Sequence, residues 1–205
     1  MTTIIDGSAN ADFATPLPVA EGGTGLSTSP ITVALGGTGS VLGAASGSIV
    51  QVAFAKLTTS GTSTVLIPAD DTIPQNTEGA EILTLAITPK SATSTLIISV
   101  DTNLVEESNA ADGCVLCALF RDSTADAIVA TIESGKGTGG GVYAAMEGAE
   151  MSLNTSVSAA STSETTFKLR VGGEQAGTYR WNGGASSRRL GGVMTTSITI
   201  FEVLA

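Results

Sequence analysis

Two runs of strand-forming residues, EILTLAITP at residues 81–89 and TLIISVDTNL at residues 95–104, decide the fold of this chain. Both runs are rich in apolar and β-branched residues, and Pro89 ends the first of them. Each is too short and too β-branched to indicate a helix, and a polar, acidic stretch at 106–113 follows the second. The two runs therefore predict two β-strands.

The same kind of pattern recurs outward from these runs to both ends of the region 49–205. Residues 60–64 predict a polar loop, residues 65–68 a short edge segment, and residues 144–158 are compatible with a strand or with a short helix. Asn182-Gly183 is a strong turn signal. About eight close strands without a clear helix pattern predict an all-β fold, a jelly-roll-like antiparallel β-sandwich over residues 49–205. The further strands are predicted at 49–55, 114–121, 127–133, 165–171, 179–181 and 195–203.

The N-terminal part has a different composition. Two Gly-Gly-Thr-Gly motifs lie fourteen residues apart in a stretch rich in Gly, Ser, Thr and Ala. This stretch cannot build a core alone, so it is either a flexible linker or a stalk that orders when three copies associate. We divide the chain into residues 1–20, a stalk at 21–48 and a head at 49–205. The stalk glycines are Gly22, Gly23, Gly25, Gly36, Gly37 and Gly39.

Composition limits the possible partners. The chain has 205 residues, a net charge of −10 and only 4% aromatic residues. So acidic a chain lacks the basic surface that nucleic acid or an anionic membrane requires. Its small side chains bury little area per residue, so we expect it to associate with copies of itself. No signal peptide or membrane-spanning run is apparent, and synthesis in the cytoplasm is expected.

The residue inventory argues against an enzyme. The chain has no histidine, which excludes the usual Ser-His-Asp and Cys-His nucleophiles. Gly135–Gly140 matches G-x-G-x-x-G without the required strand and helix around it. The acidic pairs Asp70/Asp71 and Glu106/Glu107 are expected to lie in solvated loops and not to act as catalytic carboxylates. Asp70, Asp71 and Glu78 are not sufficient to predict a calcium site. Cys114 and Cys117 are expected to be buried free thiols. We therefore expect no catalytic residue, metal or cofactor.

Large aromatic residues near turns are the candidates for binding. Aromatic faces together with amide and guanidinium donors commonly grip a sugar or a protein surface. The alternative for the tryptophan is simple packing in the head or at a subunit interface. The candidate receptor-binding residues are Tyr179, Trp181, Asn182, Arg188 and Arg189.

A resemblance rests on these residues and motifs. The segment PLPVAEGGTG at residues 16–25 resembles segments of bacteriophage tail-fibre proteins, and 49–205 is similar to their C-terminal β-sandwich heads. The matching pieces of the head include Thr72-Ile73-Pro74, Glu78-Gly79, Ala118–Asp122, Thr166-Phe167-Lys168 and Asn182-Gly183.

The resemblance implies a homotrimeric virion fibre located on the tail or capsid exterior. Residues 1–20 would dock on another virion structural protein, and the head would recognise a host surface glycan or outer-membrane protein during adsorption. A capsid-decorating head fibre, or a baseplate or collar adaptor without receptor binding, is the alternative. A depolymerase is a third possibility, although no β-helix repeat is visible.

Overall fold

The computed structural model describes residues 46–107, 113–134, 149–184 and 187–205, which form twelve strands, one short 3-10 turn and no α-helix. Consequently, no helix within these ranges is long and apolar enough to cross a membrane. The strands are β1 (Ile49–Leu57), β2 (Gly61–Ser63), β3 (Ala80–Ile87), β4 (Thr95–Glu106), β5 (Cys114–Arg121), β6 (Val129–Ser134), β7 (Ala149–Ser158), β8 (Thr165–Gly173), β9 (Tyr179–Trp181), β10 (Gly183–Gly184), β11 (Ser187–Arg188) and β12 (Thr196–Val203), and the 3-10 turn is Leu190–Gly192.

The first sheet is built around β4. This strand pairs with β7 along one edge, and with β12 and then β9 along the other. β1 extends the sheet beyond β12, and β2 extends it beyond β9. All of these pairs are antiparallel.

The second sheet has the order β3-β8-β5-β6 and is also antiparallel throughout. Its inward side chains meet those of the first sheet in a single apolar cluster. The alternation of buried and exposed residues along β4, β8 and β12 has the period of two that a strand packed on one face requires. The centre of the cluster includes Leu96, Ile98, Val100, Val115, Cys117, Leu119, Phe167, Leu169, Val171, Ile198 and Ile200.

These observations confirm the all-β antiparallel sandwich. Of residues 144–158, the described part forms β7 rather than a helix. Residues 65–68 form only an isolated bridge, between Leu66 and Gly173. The loop prediction for 60–64 is wrong at 61–63, because these residues pair with β9. The stalk glycines and segment 1–20 lie outside the described residues, as do 21–45 of the predicted stalk.

Candidate functional site

The outer face of the first sheet carries a row of exposed apolar side chains. The strand register places Val52, Phe201 and Ile97 side by side on β1, β12 and β4, with Ser156 of β7 continuing the row. Val52 and Ile97 are exposed, and Phe201 is half-buried. Their sequence neighbours Ala53, Ile200 and Ile98 point the other way into the core. Apolar residues clustered in this way on one surface commonly mark an interaction site.

The next row along the strands is also uncharged. Exposed Phe54 lies opposite Thr199, which in turn lies opposite Ser99. Charge returns one row further, where Lys56 and Asp101 contribute one charge of each sign. We call the two uncharged rows the sheet face. Its members are Val52, Phe54, Ile97, Ser99, Asn154, Ser156, Thr199 and Phe201.

The sequence-predicted binding residues follow one another around β9, but two of the five lie inside the domain. Tyr179 is fully buried, and its hydroxyl donates a hydrogen bond to the carbonyl oxygen of Gln175 at 2.5 Å. Burial raises the pKa of Tyr179, and the negative charge of Glu106 raises it further. The ring also fills the space beside Gly173, where an added Cβ would lie 1.8 Å from the tyrosine Cζ. Tyr179 therefore has no surface to offer a ligand.

Asn182 is buried as well, with a left-handed backbone (φ 51°). Its Nδ2 donates to the carbonyl oxygens of Leu57 at 3.0 Å and Thr59 at 3.2 Å. Asn182-Gly183 is a bend and not the tip of a hairpin, since the paired strands are β10 and β11 just beyond it. The amide thus fastens the end of β1 to the bend, which corrects the expectation that it faces a receptor.

Trp181 packs against the apolar cluster and remains partly exposed. Its ring lies over Gly61 of β2, where an added Cβ would be 2.3 Å from the ring carbon Cζ2. This supports the packing alternative for the tryptophan. Arg188 is exposed, while the half-buried Arg189 lies against Gly184. The five residues therefore do not form one binding surface.

The acidic residues considered for chemistry are held in separate places. Glu107 forms a two-point ion pair with the guanidinium of Arg180, and both side chains are largely buried. No sequence pattern predicts this pair, because its partners are separated by 73 positions. Glu106 is buried, so the expectation that Glu106 and Glu107 belong to a solvated loop is wrong.

The remaining acids are bound locally. Asp70 accepts hydrogen bonds from the hydroxyl and then from the backbone nitrogen of Thr72, and both lower the pKa of Asp70. Glu78 accepts from the backbone nitrogen of Gln75 at 2.8 Å. Among the described residues, no three His, Cys, Asp or Glu side chains gather as metal ligands would. The Gly135–Gly140 motif lies outside the described residues.

Both cysteines are free thiols. Cys117 is buried in the cluster, and burial raises its pKa to about 12. Cys114 is half-buried; its pKa is raised by burial and, after that, by the charge of Glu174. A thiol with a raised pKa is a poor nucleophile because little thiolate forms near neutral pH.

Comparison with known families gives one match over most of the chain. The model of the Pgp3 C-terminal domain, from chlamydial virulence proteins, matches residues 55–205. No curated protein shows a match.

Similar solved structures include a tumour necrosis factor and virus particles. The Eiger TNF of S. frugiperda is 10% identical, with 75% of this chain and 92% of that chain covered and a TM-score of 0.43. The VP2 subviral particle of infectious bursal disease virus is 13% identical, with coverages of 77% and 39% and a TM-score of 0.33. The Gt strain of the same virus is 12% identical, with the same coverages and a TM-score of 0.32. These likenesses are too distant to bear on function.

The family match overturns the bacteriophage assignment. The chain is not a tail fibre, so the virion location, the receptor-recognising fibre function and its capsid-fibre or baseplate-adaptor alternative are wrong. The GGTG motifs precede the matched residues, and pieces such as Thr72-Ile73-Pro74 and Asn182-Gly183 are strand and turn signals. Any β-sandwich requires such signals whatever its role, so they do not distinguish a tail fibre from another protein with this fold.

Proposed function

The chain belongs to the Pgp3 C-terminal domain family, and we propose that it is a non-enzymatic assembly domain that forms a homotrimer through the sheet face. The exposed row of Val52, Phe201 and Ile97 carries this proposal. Fully burying a large aliphatic or aromatic side chain stabilises by about 1.5–3 kcal/mol, so covering these partly exposed groups contributes on the order of 1 kcal/mol each.

Electrostatics also favour this face as the contact. A chain with a net charge of −10 repels its own copies, and an uncharged surface is where they can approach with the least repulsion. The serine, threonine and asparagine side chains that flank the apolar row are small, so sheets can pack closely against it. Added salt should strengthen this contact, because it screens the repulsion between chains.

Three copies are proposed because of the sequence that precedes the domain. The apolar residues Val19, Leu26, Ile31, Val33 and Leu35 recur between glycines in a region that cannot form a core from one chain. Glycine permits close approach of backbones, so three parallel segments could bury these side chains around an axis. The absence of catalysis is supported by the lack of histidine and by the local engagement of Glu78 and Glu107.

Sedimentation of a matched pair of variants tests the proposal. Ile97 lies on the sheet face and is 45% exposed, whereas Ile132 lies on β6 of the second sheet and is 47% exposed. The wild-type chain of 20.4 kDa should sediment as a species of about 61 kDa. At high salt, Ile97→Asp should shift it to the monomer, and Ile132→Asp should leave the trimer intact. A monomeric wild type, or an Ile97→Asp variant that keeps the wild-type mass, would overturn the proposal.

A further inference from the structure

The loop before β12 exposes two aliphatic side chains. Leu190 is 73% exposed and Val193 is 75% exposed, and neither side chain belongs to the buried core. Leu190, Gly191 and Gly192 have φ angles of 48°, 63° and 86°, so three successive residues are left-handed. For the leucine this conformation is unfavourable, because its Cβ crowds the following carbonyl oxygen. Strain of this kind, kept at an exposed apolar loop, points to a binding role. We call residues 188–193 the arginine loop.

A guanidinium group accompanies these aliphatic side chains. Arg188 lies against Gly192, where an added Cβ would be 2.6 Å from its Nη1, and the φ of 86° at this position favours glycine. The Arg188 side chain makes no hydrogen bond or ion pair with any residue in the described ranges. The loop thus presents a cation together with two apolar groups, and arginine is enriched among the residues that dominate the binding energy of protein interfaces.

A second surface has the complementary character. A cavity of about 340 Å³ lies between residues 70–74 and the start of β6. Asp70 and Asp71 supply negative charge, and exposed Ile73 contributes apolar surface. Thr72 fixes the Asp70 carboxylate, while Asp71 is exposed. We call this cavity the acidic groove. It is lined by Asp70, Asp71, Thr72, Ile73, Pro74, Ala127, Ile128, Val129 and Ala130, with no basic residue among them.

We propose that the arginine loop of one copy of this chain docks in the acidic groove of a second copy, with Arg188 against Asp70 and Asp71. Leu190 and Val193 would then lie on the apolar wall formed by Ile73, Ile128 and Val129. A second copy of the chain is the partner we propose because its groove is complementary to the loop. The groove supplies two carboxylates for the guanidinium and aliphatic surface for the two apolar side chains. Loop and groove share no residue, so a single loop–groove contact is heterologous and generates a ring or an open chain, whereas a reciprocal exchange of both loops gives a two-fold dimer. It is separate from the sheet face.

Salt distinguishes the two contacts. The loop–groove contact joins opposite charges and should weaken as salt rises, whereas the sheet-face contact should strengthen. The experiment is sedimentation of the full chain at low and high salt, in the wild-type and Ile97→Asp backgrounds. In the Ile97→Asp background the remaining association should fall with salt. Failure of the sheet-face proposal would leave this salt-sensitive association unchanged.

Charge reversal identifies the residues. Arg188→Glu and Asp71→Arg should each weaken the salt-sensitive association about tenfold or more. Lys90→Glu and Glu164→Arg make the same changes in net charge at exposed positions outside the loop and groove, and should leave it unchanged. An equimolar mixture of Arg188→Glu and Asp71→Arg chains should recover association, because the unchanged loop of the Asp71→Arg chain then meets the unchanged groove of the Arg188→Glu chain.

Three results would overturn the proposal. One is the absence of any salt-sensitive association in either background, and another is equal weakening by the control reversals. The third is a mixture that fails to recover. If Arg188→Glu instead reduces binding to vesicles of anionic phospholipid without changing self-association, the loop serves a lipid surface and the second copy is the wrong partner.

Discussion

Thr196 donates a hydrogen bond from Oγ1 to Oδ1 of Asn182 at 3.0 Å, and both side chains are buried. Because the single hydroxyl proton of Thr196 is used in this way, the 2.8 Å contact between the hydroxyls of Thr102 and Thr196 must take its proton from Thr102. The two carbonyl oxygens bound by Nδ2 fix the orientation of the amide. One side chain therefore joins the end of β1, the bend after β9, and the start of β12.

Replacing this amide should destabilise the domain strongly. Asn182→Gly keeps the left-handed backbone but leaves two part-buried carbonyls and a buried hydroxyl without their partner, and we expect a loss of about 1–3 kcal/mol. Asn182→Ala should lose about 1 kcal/mol more, because alanine tolerates positive φ poorly. Urea unfolding measures both. A glycine variant as stable as wild type would show that water replaces the amide at no cost.

Gly61 should be required for the position of Trp181. In Gly61→Ala the new methyl group would overlap the indole ring, so the ring must move, at a cost of about 1–3 kcal/mol. Trp181 is the only tryptophan in the chain, so its fluorescence reports this directly. Thr62→Ala, on the exposed side of the same strand, is the control and should leave the spectrum unchanged. An unchanged spectrum in Gly61→Ala would contradict the close packing.

The ion pair of Arg180 and Glu107 should show measurable coupling. Removing either partner leaves a largely buried charge without its counterion, so each alanine variant should lose about 1–3 kcal/mol. Removing both should cost less than the sum of the single losses. A double-mutant cycle in urea measures this interaction. Strictly additive losses would mean that the two groups do not stabilise one another.

Alkaline pH should weaken the fold through Cys117. Its pKa of about 12 lies above the ordinary value of 9.0, so the native state holds a proton that the unfolded state releases. This contribution to stability is complete below pH 9 and declines from pH 9 to 12, at up to about 1.4 kcal/mol per pH unit. Tyr179 acts in the same direction, because its pKa is also raised.

The measurement is urea unfolding between pH 8 and 10.5. Cys117→Ala should show a shallower decline than wild type, although it begins from a lower stability because a buried group is lost. The thiol should also react with an aromatic disulfide reagent only after unfolding. Equal pH slopes in the two proteins would show that Cys117 is not the source.

Alternation along the strands could be foreseen from sequence, because it depends on neighbours two residues apart. Leu96, Ile98 and Val100 are buried as a strand over 95–104 requires. The burial of Tyr179 and Asn182 could not be predicted in this way, because the same turn-like residues also occur at exposed turns. What buries Asn182 is contact with Leu57 and Thr59, more than 120 positions away. The sequence does not predict β2 for a related reason, because Gly61-Thr62-Ser63 becomes a strand only by pairing with β9.

The sheet face was not visible in the sequence either. Phe54, Ile97 and Phe201 lie on the outward face of strands whose other face is also apolar, so sequence alone does not show which side of each strand the core covers. Only the register of β1, β12 and β4 brings the three strands' outward residues into adjacent rows.

The pairing of β1 with β12 has a further consequence. Gly47 donates to the carbonyl oxygen of Leu204 at 2.8 Å, and Leu204 donates to that of Ser48 at 3.0 Å, so the two ends of the sandwich are neighbours. A short peptide bridge from Ala205 to Ser46, with new termini opened in the exposed 160–164 segment, should therefore yield a circular permutant that folds. By the same geometry the whole sandwich can be inserted into a surface loop of a host protein, entering and leaving at almost one point.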